Sequence, residues 1–117
     1  MKKLIAFLVV VSLLISCMKN RDTIASITVL DINNIPVGGA EVRIYSVDSQ
    51  GIPTGRINYT TTTDASGKAI FNFNDLYKKG QAGFAVLNIE AEKNNLAGNG
   101  IIKVEEEKTN EATVTIQ

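Results

Sequence analysis

The chain has 117 residues, 12 Lys+Arg against 12 Asp+Glu, one Cys, no His and no Trp. That length fits one domain, and the balanced charge gives no electrostatic argument for nucleic acid, which needs a basic surface. Lack of His removes Ser-His-Asp and Cys-His catalysis and the commonest zinc ligand, and one Cys forms no internal disulfide.

Lys2 and Lys3 precede an apolar stretch from Leu4 to Ile15. A basic start before such a run is the pattern of a secretory signal peptide. At ~1.5 Å per helical residue the run spans roughly 18 Å, short of a ~30 Å hydrocarbon core. It ends in Leu14-Ile15-Ser16-Cys17, which resembles the bacterial lipobox. The resemblance implies removal of residues 1–16, a diacylglycerol on the Cys17 thiol and an acylated new amine. Two or more acyl chains make anchoring stable where one is marginal. Losing Lys2 and Lys3 leaves the mature chain mildly acidic.

Residues 17–23 read as the lipidated Cys and a short tether, so the domain is expected close to its membrane. No Asp follows Cys17 and no acidic run follows it. The expectation is therefore a cell-envelope lipoprotein, at the outer membrane rather than the inner, facing the periplasm rather than the cell surface. Asp22-Thr23-Ile24 resembles a bacterial O-glycosylation motif, which would place a glycan on Thr23.

From Ile24 to Gln117 the apolar period is close to two, the strand signal. A first strand covers Ile24–Ile32. Asn33 to Gly39 is turn chemistry. Ala40 to Tyr45 alternates, placing Ala40, Val42 and Ile44 inward and Glu41, Arg43 and Tyr45 outward. Asp48–Gly55 reads as a loop, Arg56–Thr63 as a β-branched strand and Asp64–Gly67 as a tight turn. Lys68–Phe73 is a strand with Ala69, Phe71 and Phe73 inward. Asp75–Gly80 allows one helical turn. Gly83–Glu92 is a strand of ambiguous phase, with either both faces covered or a bulge. Lys93–Gly100 reads as a turn. Ile101–Lys108 and Glu111–Gln117 are the last strands, joined at Thr109-Asn110. Seven short strands with regular turn signals predict an all-β, seven-stranded antiparallel sandwich.

Two stretches carry a family resemblance. Val29-Leu30-Asp31 through Pro36-Val37-Gly38-Gly39-Ala40-Glu41-Val42, and Thr62-Thr63-Asp64-Ala65-Ser66-Gly67-Lys68-Ala69-Ile70-Phe71, resemble the transthyretin-like sandwiches. These include carboxypeptidase regulatory-like domains and collagen-adhesin B-type repeats. The resemblance implies a prealbumin-like Greek key over most of residues 24–92. Ile35 departs from it, where the family usually has Gly before Pro. The shared residues are structural: Pro36 fixes φ, Gly39 gives the backbone room to turn, Asp64 bonds amides of its own turn and Gly67 takes φ > 0.

That family implies one enzyme type, the hydroxyisourate hydrolases, with His, Arg and a C-terminal Tyr-Arg-Gly-Ser. This chain ends Thr113-Val114-Thr115-Ile116-Gln117. The B-type repeats imply a Lys–Asn isopeptide, but Ile24–Ile32 holds no Lys to meet Asn110. Glu105-Glu106-Glu107 with Glu111, and Asp31-x-Asn33-Asn34, offer oxygen ligands for Ca²⁺; a solvated strand end and a turn explain them more simply. Tyr45 points outward beside Arg43, Tyr59 shares the phase of Ile57 and reads as core, and Tyr77 lies in a loop. Thr60–Thr63 needs no more than strand propensity.

The resulting expectation is a membrane-anchored, non-catalytic binding or assembly module of the envelope, not an enzyme, with no cofactor and no metal. Its partner would be another envelope protein or a glycan. Contacts would come from edge strands or from two loops, through Asp48 and Gln50 in one and Asn94, Asn95 and Asn99 in the other. The alternative is a self-associating surface subunit joined through edge strands.

Overall fold

The computed structural model describes residues 22–74 and 84–117. The lipobox with Cys17, the Asp75–Gly80 turn and Tyr77 lie outside them. The strands are β1 (Ile24–Leu30), β2 (Glu41–Val47), β3 (Pro53–Thr62), β4 (Lys68–Asn72), β5 (Phe84–Lys93), β6 (Leu96–Glu105) and β7 (Thr109–Thr115). They form two sheets, ordered β4-β1-β7 and β3-β2-β5-β6. The fold is the all-β, seven-stranded sandwich that the alternation predicts.

The strands run alternately up and down between two ends of the sandwich. An odd number of them makes the first and last run the same way. β1 and β7 are neighbours, so they pair in parallel, from Ile24↔Thr109 to Leu30↔Thr115. All other pairs are antiparallel. The end at which β1 starts also carries Asp48–Ile52 and the Glu105–Lys108 turn. The opposite end carries Asp31–Ile35, Asp64–Gly67, Asn94-Asn95 and Gln117.

Alternation decides the core. Ala25, Ile27 and Val29 of β1 face Val42 and Ile44 of β2, Leu87, Ile89 and Ala91 of β5, and Ile102 and Val104 of β6, all buried. Ala69, Phe71 and Phe73 are buried as expected. Each fully buried Val, Leu, Ile or Phe contributes about 1.5–3 kcal/mol. The ambiguous phase of β5 resolves onto Leu87, Ile89 and Ala91, leaving Val86 exposed. Its register with β6 is unbroken from Phe84↔Glu105 to Lys93↔Leu96, so no bulge is needed.

Three connections share one device. Asp31, Asp48 and Asp64 each accept, through Oδ1, the amides two and four residues on. In each, the fourth residue takes positive φ: Asn34 at 62°, Gly51 at 81° and Gly67 at 77°. A carboxylate accepting amides mimics a backbone turn and holds the chain reversed. Asp31 is therefore a turn residue. Glu105 pairs instead with Lys103 and Lys108.

Several expectations are corrected. Lys93–Gly100 is not a loop: Asn94 and Asn95, at φ 50° and 71°, make a two-residue hairpin and β6 starts at Leu96. Positive φ at both central positions is the twist that matches paired strands, and Asn tolerates it. The β6–β7 turn is Glu106–Lys108, with Glu107 at φ 59°, not Thr109-Asn110. The Asn110 amide clamps that turn, donating to the carbonyls of Ile24, Glu105 and Lys108 and accepting the Glu105 amide. Tyr59 is 43% exposed rather than core, because β3 is an edge strand; its ring stands edge-on to Phe73. At Gly39 the requirement is φ +75°, since an added Cβ would meet only the Lys93 side chain. The steric need falls on Gly67, where a Cβ would meet Pro36 Cβ and the Val29 carbonyl at 2.9 Å.

Two threonines are more than strand formers. Thr63 is buried, its hydroxyl accepting the Ala40 amide and donating to the Val37 carbonyl. Thr23 is 2% exposed. Its amide donates to Asn74 Oδ1, its carbonyl accepts the Phe73 amide and its hydroxyl accepts the Glu107 amide. A glycan on Thr23 would have to leave this pocket, so the folded domain does not present that residue for modification.

On the β6/β7 side the two sheets meet closely. A Cβ on Gly98 would lie 2.1 Å from the Thr115 carbonyl oxygen, and Ala97 and Gln117 exchange backbone hydrogen bonds. At Gly100 a Cβ would meet only side chains, Val114 at 3.1 Å and Ile89 at 3.8 Å. Gly98→Ala is therefore expected to lower stability by roughly 3 kcal/mol, the upper part of the overpacking range. Gly100→Ala should cost clearly less in the same thermal melt, because Val114 can shift.

The Asp64 carboxyl is held below the ordinary carboxylate range, chiefly by the Ser66 hydroxyl and then by the Lys68 amide. Folding thus favours its charged form. That stabilisation is full above the ordinary range (about pH 4) and is lost as pH falls from there through the lowered value of the folded state. Asp64→Asn should flatten the acid limb of stability against pH and leave the limb above neutrality unchanged.

Candidate functional site

The outer face of the four-stranded sheet follows from the registers. Thr62, Glu41, Glu92 and Ala97 form one row across it. Thr60, Arg43, Glu90 and Asn99 form the next, and Asn58, Tyr45, Asn88 and Ile101 the third. Arg43 organises the middle. Its Nε donates to Asn58 Oδ1 at 2.9 Å, and its Nη1 lies 3.4 Å from Glu90 Oε2. Its guanidinium carbon stands 4.2 Å from the Tyr45 ring centroid, and the Tyr45 hydroxyl donates to Glu90 Oε1 at 3.0 Å. A flat guanidinium on an aromatic face gains from the ring quadrupole. Four side chains from three strands thus hold each other in place at the surface.

Beside this network the face sinks. A depression of about 420 Å³ is lined by Glu41, Arg43, Glu90, Glu92, Ala97 and Asn99. Its low rim is β6, where the outward-facing Ala97 carries only a methyl group. A second depression of about 570 Å³ continues over Lys93, Asn94 and Asn95 to the hairpin. Glu41 and Glu92 are directly opposed across β2 and β5, with no cation paired to either among the described residues. Like charges in that position repel. No group of three or more His, Cys, Asp or Glu side chains placed to share a metal ion occurs among the described residues.

The structure divides the five expected loop residues. Asp48 and Gln50 sit at the end where β1 starts, Asn94 and Asn95 at the other. The two sets are never brought together. Asp48 Oδ1 is occupied by its own turn, so it is a structural residue. Asn94 and Asn95 set the hairpin and border the second depression. Asn99 is a strand residue on the outer face and lines the first. Sequence reasoning reached Glu41, Arg43 and Tyr45 as outward residues but missed Glu90 and Glu92. Their signal was present: once Leu87, Ile89 and Ala91 are inward, the alternate positions must face out.

No protein-family model matches the chain, and no curated protein does. Solved structures do. Catechol 1,2-dioxygenase from Pseudomonas arvilla C-1 matches at 13% identity and TM-score 0.54, over 84% of this chain and 52% of that one. The 3-chlorocatechol 1,2-dioxygenase from Rhodococcus opacus 1CP matches at 10% and 0.54, over 84% and 60%. Transthyretin from Sparus aurata matches at 15% and 0.49, over 80% and 87%. The chain spans about half the length of the Pseudomonas dioxygenase. At these identities the likeness to the dioxygenases is one of fold alone.

These matches correct the expectation that the chain is not an enzyme. That expectation leaned on one enzyme type for this fold. The fold is also that of catechol, chlorocatechol and hydroxyquinol 1,2-dioxygenases. Missing the residues of the hydrolase therefore gives no ground for excluding catalysis.

The facing pair gives a direct test of the geometry. Glu92→Gln should raise stability by a few tenths of a kcal/mol, by relieving repulsion from Glu41. Repeating the melt in 1 M salt, where the Debye length is ~3 Å, should shrink that gain.

Proposed function

We propose that this chain is a lipid-anchored module of a bacterial cell envelope, which binds an envelope protein or glycan through the outer face of the four-stranded sheet. One observation carries the reading: Thr23, only six residues beyond Cys17, is buried in the sandwich and hydrogen-bonded on amide, carbonyl and hydroxyl. Only residues 18–22 then separate it from Cys17, a reach of roughly 17 Å when fully extended. A lipid on Cys17 would hold the sandwich against the bilayer by its β1-start end. The Asn94-Asn95 hairpin would face away, and the Arg43 network would lie along the flank. The outer membrane, on its periplasmic side, is the location this reading favours.

The full chain expressed in a bacterial host tests the anchor. The protein is expected to fractionate with membranes, and the mass of its N-terminal peptide should carry diacylglyceryl and acyl groups on Cys17. Cys17→Ser should leave the membrane fraction or remain as uncut precursor. Unmodified Cys17 in a soluble wild-type protein would overturn the proposal. For the binding face, a photo-cross-linker at Asn99 is expected to capture the same partner in intact cells in repeated experiments. One at Ile70, exposed on the other sheet, should not.

A further inference from the structure

The sandwich has four edge strands, and three are protected. β4 is five residues long and opens with Lys68. The β6 and β7 edges cross each other where Ala97 meets Gln117 and Gly98 meets Thr115. Short edges, lysines and covering segments are the usual defences against stray pairing. Among the described residues, β3 has none of them. It runs ten residues from Pro53 to Thr62, with no Lys, Asp or Glu and with Arg56 as its one charge. Its Pro stands at the first position, where it interrupts nothing.

The backbone direction of β3 can be followed. The Thr63 amide and carbonyl bond to Ala40 and Gly39, and the Ile57 amide to the Ser46 hydroxyl. Odd-numbered residues therefore address β2. Alternation turns the N–H and C=O groups of Asn58, Thr60 and Thr62 toward the open edge. Their side chains lie on the outer face, in rows with Tyr45, Arg43 and Glu41. Arg56 lies on that face too, because Ile57 packs against the core.

We infer that β3 is the contact for a second copy of this chain, pairing antiparallel with its own β3 about a two-fold axis at Tyr59. Charge selects that register. Opposite residues then share a face: Asn58 meets Thr60, Arg56 of the second copy meets Thr62, and the two Tyr59 residues meet each other. Arg56 of the second copy arrives one strand from Glu41. Neither residue has an ion-pair partner within its own chain among the described residues. At ~4.8 Å between strands the two backbones lie roughly 10 Å apart, within reach of the two side chains. A register centred on Asn58 would bring Arg56 beside Arg43 instead, like against like. The pairing joins two four-stranded sheets into one of eight and covers the half-exposed Tyr59 rings. It needs no lipid anchor. With the anchor, the two Thr23 ends point in opposite directions, so a pair formed on one bilayer lays the joined sheet along it, whereas the single anchored sandwich stands on its β1-start end.

Sedimentation of the full chain in density-matched detergent tests this. Twice the chain mass is expected. Thr60→Pro should give a monomer with an unchanged melt, because the lost N–H points away from β2. Arg56→Glu should weaken the dimer about tenfold or more, and adding Glu41→Arg should restore it. Tyr59→Cys should form an intermolecular disulfide on oxidation, since non-hydrogen-bonded pairs lie ~4.5 Å apart at Cα, within disulfide range. Ile70→Cys should not. A wild-type monomer at about 0.1 mM, where a micromolar dimer is populated, would overturn the inference. So would a double charge swap no tighter than Arg56→Glu alone. If Thr60→Pro fails to fold, the charge pair and the Cys pair still decide.

Discussion

The backbone of β6 passes so close to the end of β7 that nothing larger than hydrogen fits at Gly98. The rest of the sandwich depends on that approach. β7 must leave its hairpin partner β6, which belongs to the four-stranded sheet, and join β1 in the other. A side chain at Gly98 would push the two sheets apart where the last strand closes the fold. The outer-face depression has a separate cause at the neighbouring residue, Ala97, whose small side chain points the other way. On the opposite side no strand among the described residues crosses over, and aromatic rings pack there. Phe71 and Phe73 lie near-parallel at 6.5 Å, and Tyr59 meets Phe73 at 61°.

Much of this architecture was legible in the sequence. Period-two apolar residues gave the strands, and the inward sets on β2 and β4 are those that alternation requires. What escaped had physical reasons. The β6 start was hidden because Asn94, Asn95, Gly98, Asn99 and Gly100 carry the composition of a loop. Two of those residues make a tight hairpin, and Gly98 is a glycine because another backbone passes over it. Asn110 looked like a turn residue, yet its amide fastens a turn just before it. Tyr59 has the phase of a core residue, but phase does not tell whether a strand has a neighbour on both sides. The outer-face site was half legible for the same reason: β2 alternates cleanly, whereas β5 has apolar residues in both phases.

The carboxylates divide by role. Asp31, Asp48 and Asp64 turn inward on their own backbone, and Glu105 is held by Lys103 and Lys108. Glu41 and Glu92 are left facing each other, a local cost that the fold does not require. Proteins retain such conflicts where something other than stability acts on them. The fold itself is neutral on this point, as its likeness to catechol 1,2-dioxygenases is one of fold alone.

The parallel pairing of β1 with β7 also has a mechanical side. The chain enters the sandwich at one end, at Thr23, and leaves at the other, at Gln117. Tension between an anchor before Thr23 and a load at the C-terminus would run along both strands in opposite senses. It would shear the seven-residue β1–β7 ladder and strain its bonds together, instead of peeling them one by one. Loading at the Asp48 turn, on the entry end, would bypass that ladder. The odd number of strands therefore orients the domain as a link that resists pulling along its length.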